Sequence, residues 1–152
     1  MNKFLSYTCI LLVSFFGGTL NAHAFTPKSL PIIQETDHWK LKIDTSTEQE
    51  ARKDVFDVYS LSVINNASWA YNVHVDVFRN EPKTQTKFEL FTDEQDKVGR
   101  NSFRRHFPIS VKANELTVVI TWQDEPLIRK EDMKPKDCNG QRKHMQVFTF
   151  KN

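Results

Sequence analysis

The sequence predicts an all-β protein: an antiparallel two-sheet β-sandwich, immunoglobulin-like in architecture, with about seven strands. Three observations carry this expectation. Apolar residues recur with period 2 in one segment after another, the mark of strands that bury one face and wet the other. These segments are short and regularly spaced, and no helical segments alternate with them. Removing a leader leaves 128 residues (152 minus 24), enough for one domain that buries roughly two thirds of its unfolded surface.

The leader is residues 1–24. Met1-Asn2-Lys3 is a short positive region, Phe4 to Phe16 is an apolar run, and Ala22-His23-Ala24 has the small-x-small pattern of a signal peptidase site. The longer stretch Phe4 to Leu20 is marginal in length for a membrane span, is broken by Ser14, Gly17 and Gly18 and is followed by a cleavage pattern, so it reads as a cleaved signal peptide and not as a membrane anchor. Phe25 then opens a single domain over 25–152, exported to the periplasm or the medium. Cys9 leaves with the leader, and the residues around it do not make a lipid-attachment site.

Phe25 to Ile33, with Pro27 and Pro31, reads as an extended lead-in. Trp39, Leu41 and Ile43 alternate with Lys40, Lys42 and Asp44 in the first strand. Ser46-Thr47-Glu48-Gln49 fits a capping box, so residues 46–53 form a short helix, a polar loop or an extended continuation of the strand. Tyr59, Leu61 and Val63 form the second strand, and Asn65-Asn66 suits a left-handed turn. Tyr71, Val73, Val75 and Val77 form the third, which is expected to make a hairpin with the second.

Phe88 and Leu90 mark a short fourth strand, closed by the polar stretch Asp93 to Asp96 and by Gly99. Phe103, Phe107, Ile109 and Val111 share a parity in the fifth, with Arg105 violating it. Leu116, Val118, Ile120 and Trp122 form the sixth, a segment of high β-propensity. After a turn at Asn139-Gly140, Met145 to Phe150 closes the fold as a seventh strand whose inward face the pattern leaves open. Trp39 and Trp122 are expected in the core between the sheets. The connection 123–143 is long, and loops of that length are usually functional or disordered.

Composition excludes several classes. The mature charge is 20 basic minus 19 acidic, or +1, so no nucleic-acid partner is expected. Cys138 remains without an intramolecular partner, which leaves an intermolecular disulfide open to it. Cys138, His144 and Met145 invite comparison with blue-copper sites, but adjacent His144 and Met145 point to opposite faces of a strand and do not converge. His38, His74 and His106 fall in three different elements, and His74 with Asn72 and Asp76 forms a polar row on a solvated face.

No motif marks Cys138 as a nucleophile, with His144 near it only in sequence. Asp124-Glu125 and Asp93-Glu94 read as solvated turn charges. Lys97, Arg100, Arg104, Arg105 and His106 form the densest basic cluster, with Asp93, Glu94 and Asp96 placed to neutralise it across a hairpin. Asn66-Ala67-Ser68 is a glycosylation sequon, meaningful only in a eukaryotic pathway.

The expected function is therefore an exported, non-catalytic binding, assembly or inhibitory module that acts through its surface, without a cofactor, a metal or a stable membrane anchor. Its partner is expected to be another protein, joined at an edge strand or through 123–143. The rival reading is a copper-binding sandwich: cleavage after Ala22 makes His23 the N-terminus, where its amine and imidazole chelate copper.

Overall fold

Alternation of apolar and polar residues does produce strands throughout the described residues. The computed structural model describes residue 25 and residues 27–48, 55–81, 83–100, 102–126 and 142–151. Their strands are β1 (Ile32–Glu35), β2 (Trp39–Thr45), β3 (Phe56–Asn65), β4 (Ala70–Asn80), β5 (Lys87–Val98), β6 (Ser102–Ser110), β7 (Glu115–Gln123) and β8 (Lys143–Lys151). They form two antiparallel four-stranded sheets, ordered β1-β2-β3-β6 and β5-β4-β7-β8. The expected signal peptide with Cys9 and His23, Cys138, and the turn expected at Asn139-Gly140 lie outside the described residues.

The expected hairpin between the second and third strands does not form. β3 and β4 belong to different sheets, and residues 66–69 carry the chain across the sandwich. Asn65 is the reason: it is buried, its Nδ2 donates to the Val98 carbonyl at 3.1 Å, and its Oδ1 accepts the Ala67 N–H at 2.9 Å. Both bonds make a corner anchored to the opposite sheet, not a left-handed turn; among the described non-glycine residues only Asn72 and Lys83 have positive φ. Asn66 is likewise occupied, its Nδ2 donating to Glu35 Oε1 at 3.1 Å and to the Thr36 carbonyl at 3.0 Å.

Two further expectations are corrected. Part of the lead-in is β1, an edge strand paired with β2 from Ile32 opposite Ile43 to Glu35 opposite Lys40. Asp93 to Asp96 does not close the fourth strand, because β5 continues through it to Val98. An edge strand needs pairing on one side only and presents much of its surface to water, so charged residues are tolerated there. Residues 46–48 form a coil and bend, not a helical start, with Ser46 Oγ accepting the Glu48 N–H at 2.9 Å. The rest of that expected helix lies outside the described residues.

Trp39, Leu41, Ile43, Leu61, Val63, Val73, Val75, Leu116, Val118 and Ile120 fill the space between the sheets. Trp39 and Trp122 meet there edge to face, ring centroids 5.6 Å apart, a geometry suited to the negative face and positive edge of aromatic rings. In β8 the inward residues are His144, Gln146, Phe148 and Phe150, which leaves Met145 68 % exposed on the outer face. Arg105, the parity violation in β6, reaches Asp93 of β5 at 3.3 Å and closes the side of the sandwich where those edges meet. Of the neutralisation expected for the basic cluster, this one pair is formed, between sheets and not across a hairpin.

Strand directions divide the connections between two ends. Residues 36–38, 66–69, 99–101 and 124–142 connect strands at one, the loop end; residues 46–55, 81–86 and 111–114 connect them at the other.

Candidate functional site

At the loop end, three local features place two aromatic rings around one ammonium. The first is Asn72, which adopts φ 47° and resets the alternation of β4. Ala70 and Val73, three residues apart, both enter the core, while the β4–β7 register shifts between Tyr71 and His74. Tyr71, expected inward with Val73, is thereby turned to a half-buried surface position; bulges of this kind re-aim side chains. Asn tolerates left-handed geometry, and Asn72 Nδ2 donates to Gln123 Oε1 at 2.6 Å, which pins the irregularity to β7.

The second is Gly99, where a Cβ would come within 2.8 Å of Trp69 Cζ3 and 3.2 Å of Cη2. The indole therefore lies against the backbone at a place where any other residue would push it away. It is nonetheless 51 % exposed. The third is Lys97, opposite Tyr71 in the β4–β5 register, whose Nζ lies 4.0 Å from the Trp69 ring and 5.5 Å from the Tyr71 ring. Such contacts stabilise by about 0.5–1 kcal/mol when exposed. No carboxylate among the described residues pairs with Lys97.

A second aromatic group occupies the same end. His144 stacks on Trp122 with centroids 5.2 Å apart, and His38 lies 5.4 Å from the same ring. His144 Nε2 meets Asp124 Oδ2 at 2.8 Å. Thus His38 and His144, distant in sequence, share one neighbour, and Asp124 is a partner and not merely a solvated turn charge. His144 and Met145 do point to opposite faces.

The other candidate residues are dispersed. His74 pairs with Glu94 at 3.2 Å, Asp76 accepts from Thr92 Oγ1 at 2.8 Å, and His106 Nδ1 shares a 2.7 Å hydrogen bond with Ser46 Oγ. Asn72 faces Gln123 and leaves the polar row expected with His74 and Asp76. Arg104 Nε donates to Ser62 Oγ at 3.2 Å on the outer face of the first sheet, away from Lys97, so the basic cluster is not one patch. Among the described residues, no three His, Cys, Asp or Glu side chains gather closely enough to hold a metal, and no helix is long and apolar enough to cross a membrane.

Trp69, Tyr71 and Gly99 did not stand out as site residues in the sequence. Two signals were nonetheless present: an Asn inside a strand of otherwise high β-propensity, and one of the only two glycines in the mature chain.

The chain belongs to the YozF-like secreted protein family, which it matches over residues 23–152. It is 35 % identical over 121 residues to a Bacillus subtilis (strain 168) protein described as uncharacterized protein YozF, covering 66 % of this chain and 73 % of that relative. No solved structure matches the chain. The protein is accordingly exported.

Proposed function

We propose that this exported protein is a non-catalytic binding module whose contact surface is the loop end, with Trp69 as its anchor. The carrying observation is that an indole is left half exposed while the fold is shaped to hold it: Gly99 omits the side chain that would displace it, and Lys97 lies against its face. Tryptophan and tyrosine dominate binding hot spots because they offer large, rigid, amphipathic contact area at low entropic cost. Loops gathered at one end of an immunoglobulin-like sandwich supply a rim for such an anchor. In this reading the partner is met without a cofactor or a membrane anchor.

The test places a photo-activatable cross-linking residue at exposed Ser68, next to the anchor, or at exposed Lys112 on the opposite end, in protein exported by its own cells. The expected result is a discrete adduct from position 68 and none from position 112. Adducts of equal yield from both positions, or from neither, contradict the reading.

A further inference from the structure

Resting on the loop-end reading above, we propose that Trp69, Tyr71 and Lys97 form a site for a carboxylated sugar, a pyranose ring bearing an acid group.

Lys97 carries the argument for charge. Its ammonium has three donors, yet its partners among the described residues are aromatic faces, which attract a cation without accepting all of those protons. An incoming carboxylate replaces water on this exposed ammonium with charge-assisted hydrogen bonds. Arg100, exposed just beyond β5, adds positive charge at this end. Asp96 is also exposed and forms no ion pair with Lys97.

Trp69 and Tyr71 carry the argument for the body of the ligand. Aromatic faces are electronegative, and the polarised C–H bonds on one face of a pyranose present the complementary surface. Gly99 and the Asn72 irregularity fix where these rings lie, so less freedom is lost on binding a rigid partner. A carboxylated pyranose supplies a rigid face and an anion in one unit. A flexible acidic peptide supplies the anion alone and must order more rotatable bonds. Two sources share the chemistry: a uronic acid, and an amino sugar carrying a lactyl ether.

The test compares trigalacturonic acid with its methyl ester, and N-acetylglucosaminyl-N-acetylmuramic acid with chitobiose, by calorimetry and by protection of tryptophan fluorescence from acrylamide. Trp39 and Trp122 are buried, so quenching reports on Trp69. At least one acid is expected to bind about tenfold or more tightly than its neutral counterpart, the equivalent of one charge-assisted contact. Which acid binds identifies the source. Lys97→Met is expected to erase the difference between acid and neutral sugar, and Trp69→Ala to abolish protection by both. If neither acid binds at millimolar concentration, if the neutral sugars bind equally, or if an oligoglutamate protects Trp69 while the sugars do not, the sugar assignment is overturned. Persistence of the adduct at position 68 in that event shows that only the ligand class has failed.

Discussion

The two ends of the sandwich treat their aromatic residues in opposite ways. At the end away from the loops, Phe25 is buried, packs edge to face on Tyr59 with centroids 5.7 Å apart, and its carbonyl accepts the Tyr59 hydroxyl at 2.9 Å. At the loop end, Trp69 stays half exposed against Gly99, left-handed Asn72 turns Tyr71 toward the same cation, and that cation pairs with no carboxylate among the described residues. At the first end Phe25 closes the core, and the exposed Phe88 lies under Arg79, a cation already paired with Glu81 at 3.0 Å. The other keeps aromatic surface available at a cost in regular geometry, and irregularities of this kind gather where a protein meets its ligands.

The largest effect should come from breaking the closed end. Phe25→Ala removes a fully buried aromatic side chain and should cost about 3–5 kcal/mol in urea denaturation. Binding at the loop end should be unchanged in the fraction that stays folded, because the two ends share no side-chain contact with each other at these positions.

An intermediate effect tests the loop end. Asn72→Val places a β-branched residue at φ 47°, where strain costs about 1–2 kcal/mol. It also deletes the bond to Gln123. The Tyr71 ring should leave Lys97, which the ring-current shift of the Lys97 ε-protons would show by NMR.

The smallest effect is a pH dependence. Burial, with a smaller contribution from the Asp57 charge, pushes the Tyr59 hydroxyl up from 10.0 to about 12. Because the folded value is the higher one, the neutral hydroxyl's stabilising contribution is complete below about pH 10. It is lost as pH rises through about 12. Tyr59→Phe should therefore flatten the fall in Tm over that window while lowering stability near neutrality by about 1 kcal/mol, the worth of one hydrogen bond.

The sheets were legible where alternation was strict. Trp39 to Ile43 and Leu116 to Trp122 behaved as their patterns required, and their two tryptophans met in the core. Periodicity reports which face a residue occupies but not which strand lies beside it. This is why β3 and β4 were expected as a hairpin, while Asn65 in fact bonds across to Val98 and sends the chain to the other sheet. β5 was cut short because acidic residues oppose the pattern of a central strand, and nothing local revealed that it is an edge. Arg105 and Asp93 each broke parity separately and make sense only as a pair.

The candidate site was the least legible part, since it consists of departures from pattern. Tyr71 keeps perfect alternation with Val73 in the sequence, and only the left-handed Asn72 turns it outward. Trp69 follows a turn, where an aromatic residue is equally compatible with core or surface. The close approach of its ring to Gly99 links residues thirty positions apart and leaves no periodic trace.

The most direct measurement is retention of the exported protein on its natural binding surface, comparing Trp69→Ala at the open end with Lys112→Ala at the closed end. The account predicts that Trp69→Ala lowers affinity at least about tenfold, as removal of a hot-spot residue does, while its Tm and that of Lys112→Ala stay near the wild-type value. Equal retention of both variants, with both folded, would contradict it.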